Sequence, residues 1–92
     1  MPGKKSRLTQ PQTLPALKYI EHLLTTGYGD ITLGRVGPIE CAATACDEDQ
    51  QLAMLVRRKD ETLAQLLVRL DQAIESAYER HHVINEVYSG PG

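Results

Sequence analysis

The chain has 92 residues and a mass of 10.2 kDa, the size of one small domain, which excludes an enzyme with separate cofactor and substrate domains. Hydrophobic residues make up 41% of the sequence, but Phe and Trp are absent, so the core must be aliphatic and self-association is expected to enlarge it. The net charge of -2 and the pI near 5.9 argue against a protein whose whole surface binds nucleic acid.

The start of the sequence is basic. Residues 1–20 hold four bases and no acid: Lys4, Lys5, Arg7 and Lys18. Residues 1–12 also contain Gly and Pro without apolar periodicity, which predicts a disordered basic arm. Residues 8–17 are too polar for a signal peptide, and no apolar run approaches the roughly 20 residues of a membrane span. The sequence therefore predicts a cytoplasmic protein without a membrane segment.

A first helix is predicted over residues 14–26. Thr13 is a good N-cap and Pro15 suits a first helical turn. Apolar residues then recur at helical spacing: Leu17, Ile20, Leu23 and Leu24. Gly27 follows as a typical C-terminal stop.

The middle of the sequence favours β-structure. Residues 30–36 alternate weakly and fit either a short edge strand or an extended loop. Residues 39–46 alternate with period two, which places the small residues Ala43 and Ala45 on an inner face. Residues 51–58 predict a second strand, joined to the first by a turn at 47–50.

The segment after residue 60 has the strongest helical periodicity. Asp60 is expected at the helix start, and the predicted end is His81 or His82. One stripe carries residues that recur at helical spacing: Leu63, Leu66, Leu67, Leu70, Ile74, Ala77 and His81. Residues 85–92 end in Ser-Gly-Pro-Gly and predict a flexible C-terminal tail, which leaves 13–84 as a single domain.

These elements predict an α+β domain in which both helices pack on one face of a small sheet. The order is a helix, then either a β-hairpin alone or three short antiparallel strands, then a long helix. Such a sheet has a free edge and an uncovered face. We expect an apolar strip on that face to form a homodimer interface: Ala42, Thr44, Ala53 and Leu55.

A metal site is a weaker hypothesis. Four residues carry suitable zinc ligands: Cys41, Cys46, His81 and His82. Two cysteines an odd number of residues apart in a strand point to opposite faces, and adjacent histidines on a helix diverge by about 100°. The sequence therefore predicts neither a metal nor a cofactor.

Catalytic motifs are weak as well. Nothing in the sequence brings His22, His81 or His82 to either cysteine to form a thiolate pair. The acidic run 47–49 lacks the spacing of a calcium loop, and Gly27-Tyr28-Gly29 lacks the residues of a phosphate loop. The pattern favours a protein without enzymatic activity.

Two functions fit the sequence. The first is a protein-interaction or accessory module whose partner is a second copy or another protein. The alternative is a regulator that contacts nucleic acid through two basic clusters: Lys4, Lys5 and Arg7 in the arm, and Arg57, Arg58 and Lys59 before the long helix. Residues 57–74 resemble the start of a helix in many small bacterial proteins, a likeness that names no family and implies no activity.

Overall fold

The computed structural model describes residues 16–87. Its elements are α1 (Lys18–Thr25), β1 (Asp30–Val36), β2 (Ile39–Cys46), β3 (Gln51–Val56), α2 (Leu63–Arg80) and β4 (Ile84–Asn85). The predicted basic arm and its bases Lys4, Lys5 and Arg7 lie outside the described residues, as do Thr13 and Pro15. The last five residues of the predicted tail, 88–92, lie outside them too.

The four strands form one sheet in the order β1-β2-β3-β4. The first three strands are antiparallel neighbours, whereas β4 follows α2 and pairs in parallel with β3. The structure therefore confirms the α+β class and selects a strand over a loop for residues 30–36. The sequence did not predict β4, because a two-residue strand carries too little alternation to be recognised. Asn85, which the sequence assigned to the tail, lies in this strand.

Both helices cover the same face of the sheet. The buried core joins residues from α1, α2 and the inner sides of β2 and β3, and its largest fully buried members are Leu23, Leu52, Leu55, Leu66, Leu70 and Ile74. Ala43, Ala45 and Ala53 bring the sheet backbone close to the helices, because small side chains leave little space between the layers. Within residues 16–87, neither helix is long and apolar enough to cross a membrane.

The helix α1 begins later than the sequence predicts. Ala16 and Leu17 precede it, and Leu17 offers no side chain to cap it. Asp71 of α2 supplies the cap instead, since its Oδ1 accepts hydrogen bonds from the backbone N–H groups of Tyr19 at 2.8 Å and Ile20 at 2.9 Å. The predicted stop is confirmed, because α1 ends at Thr25 and the N–H of Gly27 bonds the carbonyl of His22.

The helix α2 begins at a capping box. Thr62 Oγ1 accepts the Gln65 backbone N–H at 3.0 Å, and Gln65 Oε1 accepts the Thr62 N–H at 2.9 Å. The predicted start at Asp60 was wrong, because Asp60 has a left-handed φ of 68° that a right-handed helix excludes. At the other end, His81 has a φ of 55° and stops the helix in the αL conformation.

A bulge in β3 determines which of its side chains face the helices. Cys46 pairs with Gln51, but Ala45 pairs with Ala53, so one extra residue stands between the two pairs. A slip of one residue exchanges the faces of a strand. Regular pairing from Cys46 and Gln51 would have turned Met54 inward. The bulge instead turns Ala53 and Leu55 inward, and Leu52, the extra residue of the bulge, is buried in the core as well.

Candidate functional site

The predicted homodimer interface does not agree with the structure at β3. Ala53 and Leu55 are 0% and 1% exposed and belong to the core, so they do not form part of an outward strip. Ala42 and Thr44 lie on the opposite face, where Ala42 pairs with Val56 and Thr44 with Met54, but Ala42 is 0% exposed there. Thr44 is therefore the one member of the predicted interface that is partly exposed on this face, and neither described helix packs on it.

A second surface, the flank formed by α1, β1 and the loop between them, exposes several large apolar side chains. Of the five exposed large apolar side chains among residues 16–87, three belong to this flank: Leu24, Tyr28 and Leu33. Leu33 pairs with the buried Ala43 on the helix side of the sheet, yet it is 43% exposed. Leu24 is 52% exposed and lies about 200° around α1 from His22, which contacts α2, so Leu24 points away from α2.

The basic cluster lies where β3 ends and α2 begins. Arg57 donates from Nε to the carbonyl of Glu61 at 2.8 Å, and the backbone N–H of Arg58 donates to Glu61 Oε1 at 2.9 Å. The Arg58 guanidinium lies 3.9 Å from Glu86, and its side chain is 65% exposed. Arg57, Arg58 and Lys59 line an open cavity of about 460 Å³ beside Cys41. Carboxylates next to these bases reduce the local positive charge that would attract a phosphate backbone.

Arg69 lies at the centre of a charged cluster behind the basic residues. Its Nε donates to Glu61 Oε2 at 2.8 Å, and its Nη1 donates to Glu86 Oε2 at 2.8 Å. Its Nη2 donates to the carbonyl of Val56 at 2.9 Å and to Glu61 Oε1 at 3.0 Å. Glu86 Oε1 accepts the backbone N–H of Val56 at 2.9 Å. One guanidinium therefore holds α2, the end of β3 and the residue after β4 together.

The cluster also shifts protonation equilibria. The hydrogen bonds from Arg69 lower the pKa of Glu61 to about 2, against the desolvation of a side chain that is 7% exposed. The hydrogen bond with Glu61 in turn raises the pKa of Arg69. Both charges are paired and hydrogen-bonded, as in a structural ion cluster.

Sequence reasoning missed this cluster. Arg69 does not belong to the apolar stripe predicted for the long helix, yet its side chain is only 18% exposed. The signal present in the sequence is its place between large aliphatic residues, Leu66 and Leu70 among them, where a charged side chain needs a partner. The sequence could not identify Glu86 as a partner, because β4 was not predicted.

The candidate metal ligands do not come together. Cys41 and Cys46 are free, half-buried thiols five positions apart on β2, a separation of about 16 Å in an extended strand. His81 and His82 are exposed after the end of α2. Within the part of the chain that the structure describes, there is no group of three or more Cys, His, Asp or Glu side chains that could hold a metal ion.

A shallow groove between α1 and α2 contains His22. The ring centroids of His22 and Tyr78 are 6.2 Å apart at an interplanar angle of 84°, and His22 Nδ1 lies 2.9 Å from Thr26 Oγ1. Tyr19 donates its hydroxyl to Glu79 at 3.2 Å, which raises the pKa of Tyr19, while burial raises the pKa of Tyr78. These contacts join the two helices; no hydrogen bond in the described structure links His22 to a cysteine.

The acidic run at 47–49 forms the predicted turn. Asp47 Oδ1 accepts the backbone N–H groups of Asp49 and Gln50, each at 2.9 Å, and the Asp47 N–H donates to the carbonyl of Gln50. An Asp side chain that closes its own turn in this way has a local structural role. Glu48 and Asp49 are exposed beside it.

Comparisons with protein-family models, curated proteins and solved structures found no match to the chain.

Proposed function

We propose that the chain is a small protein-interaction module that acts in the cytoplasm and whose first partner is a second copy of itself. The observation that carries this proposal is the flank formed by α1 and β1. In this flank the side chains of Leu24 and Leu33 are 52% and 43% exposed. They remain outside the core even though the core contains few large side chains. Exposed apolar side chains grouped on one side of a small domain are typical of an association surface.

The chemistry of the remaining surface supports the same proposal. The titratable groups with shifted pKa values pair with neighbours or are buried between the helices, and none stands in an arrangement of nucleophile, base and oxyanion donors. The free thiols of Cys41 and Cys46 are typical of a reducing compartment. These features favour an accessory role over catalysis.

Light scattering with sedimentation velocity tests the proposal. We expect the mass to rise towards about twice 10.2 kDa as the protein concentration increases from about 1 to about 100 µM. A constant mass of one chain across that range would contradict self-association.

The same preparation tests nucleic-acid binding, the alternative function. We expect no shift of duplex DNA or single-stranded RNA at low salt, because Glu61 and Glu86 lie beside Arg57 and Arg58. A salt-sensitive shift that disappears when residues 1–12 are removed would instead support the regulator with a basic arm.

A further inference from the structure

We propose that two copies of the chain pair along β1 in an antiparallel arrangement centred on Thr32, so that their sheets join into one of eight strands. This inference rests on the proposed self-association and names its interface. It predicts a symmetric dimer with a two-fold axis beside Thr32 and with the α1 helices of both copies on the same side of the joined sheet.

The two edges of the sheet differ in length. β1 is an edge strand of seven residues, whereas the opposite edge, β4, has two residues. Short edge strands are a common protection against pairing with another chain, and within residues 16–87 β1 lacks that protection. Its first five residues, 30–34, pair regularly with β2, and the irregularity lies between Gly34 and Val36. A regular stretch of edge backbone is therefore present for a second strand.

The side chains of β1 suit pairing with a copy of itself. Its centre, Ile31-Thr32-Leu33, is uncharged and contains two β-branched residues, which favour strands. With Thr32 opposite Thr32, Ile31 of one copy lies opposite Leu33 of the other on the helix side. This pairing covers the exposed Leu33 with an apolar neighbour, and each such cross-strand pair stabilises a sheet.

The charges of β1 favour the antiparallel direction. Asp30 and Arg35 are exposed near its two ends. A two-fold axis at Thr32 places Asp30 opposite Gly34 of the second copy and one residue from its Arg35, so the two opposite charges lie at the same end of the joined strands. Asp30 pairs with Cys46 beside the acidic turn 47–49. Antiparallel pairing thus brings the Arg35 end of each β1 to the acidic end of the other copy.

Disulfide trapping tests the register. Two equivalent residues beside a two-fold axis between antiparallel strands have Cα atoms about 4.5 to 5.5 Å apart, within disulfide range. In a chain with Cys41→Ala and Cys46→Ala, we expect Thr32→Cys to form a covalent dimer under mild oxidation. Thr44→Cys is the matched control, because Thr44 pairs with Thr32 inside one sheet but lies away from the edge. We expect it to remain monomeric on a denaturing gel.

Charge reversal is an independent test that needs no cysteine. Asp30→Arg and Arg35→Asp should each raise the dimer dissociation constant by about tenfold, and the double variant should return it to within about threefold of the original. Circular dichroism checks that each variant folds. A double variant that dimerises no better than either single variant would overturn the pairing.

The outcomes separate the two proposals. A chain that stays monomeric at every concentration overturns both of them. A dimer in which Thr32→Cys does not cross-link, whether or not Thr44→Cys does, overturns pairing through β1 and leaves self-association standing. Cross-linking through Thr44→Cys would then assign contact to the outer face of the sheet.

Discussion

Arg69 links three parts of the molecule: the start of α2, the end of β3 and the residue after β4. Its four hydrogen bonds reach Glu61, Glu86 and the carbonyl of Val56. Taking a guanidinium out of water is costly, and this cost is offset here because each nitrogen has an oxygen acceptor at 3.0 Å or less. The cluster therefore stabilises the fold only while its carboxylates are charged.

Acidification should remove this contribution in a defined range. Arg69 depresses the pKa of folded Glu61 from 4.5 to about 2, so the stabilisation is complete above about pH 4.5 and is lost as the pH falls towards 2. We expect Glu61→Gln to lower the free energy of unfolding by roughly 2 kcal/mol at pH 7, and the difference from the original chain to shrink between pH 4.5 and 2. Urea titrations at several pH values measure both quantities.

The control for this prediction is Glu48→Gln, which changes an exposed carboxylate in the turn between β2 and β3. It should leave stability within about 0.5 kcal/mol of the original. A stability difference for Glu61→Gln that stays constant from pH 7 to pH 2 would show that the carboxylate charge is not what stabilises the cluster.

At the scale of the elements, α1 depends on α2 for its N-terminal cap. Eight residues are too few for an isolated helix to be stable in water, so α1 must be held by tertiary contacts. Asp71 satisfies two of its free N–H groups and also places a negative charge at the positive end of the helix dipole. Asp71 thereby helps to fix where the start of α1 lies along α2.

Removing the cap should loosen α1. We expect Asp71→Ala to lower the free energy of unfolding by about 1 to 2 kcal/mol. Asp71→Asn should lower it by no more than half as much, because the side-chain oxygen of Asn still accepts hydrogen bonds. Urea unfolding followed by circular dichroism measures both changes. The neighbouring Gln72→Ala is the control, since Gln72 is exposed on α2. Equal effects of Asp71→Ala and Gln72→Ala would contradict the capping role.

Periodicity alone predicted most of the elements but not the faces of β3. The alternation over 39–46 and the helical stripe centred on Leu66, Leu70 and Ile74 were sufficient for β2 and α2. The bulge at β3 was not visible, because Leu52, Ala53, Met54 and Leu55 are all apolar and either register buries hydrophobic side chains. For this reason Ala53 and Leu55, which were predicted to face outward, are buried in the core. Ala42 and Thr44 lie on the other face of the sheet, but Ala42 is buried there too.

The surface proposed here for association was not identified from the sequence. The absence of Phe and Trp indicates a small core, and self-association was predicted because it would enlarge that core. This self-association remains a prediction. The exposed Leu33 and Leu24 were not identified, because exposure depends on how far α1 covers β1, and no local pattern encodes that coverage. Leu24 in fact fits the apolar stripe of α1 as well as the buried Ile20 does.

At the scale of the whole molecule, stability should depend on protein concentration. If the folded chain dimerises, mass action raises the thermal midpoint as the concentration increases. We expect Leu33→Lys to abolish this dependence and Leu63→Lys to preserve it, because the two leucines are 43% and 44% exposed but lie in β1 and at the start of α2 respectively. Calorimetry over a tenfold to hundredfold range of concentration measures the shift. A concentration-independent midpoint for the original chain would contradict the dimer.

The parallel strand β4 has a consequence for the order of folding. Strands β1, β2 and β3 are joined by short turns, so their pairing closes small loops. β4 reaches β3 only after the 18 residues of α2 have folded back across the sheet, and contacts over such separations form slowly. We therefore expect the three-stranded meander to form first. We expect the hydrogen bond between Arg69 and Glu86 to form late in folding. Such a contact slows unfolding more than it speeds folding.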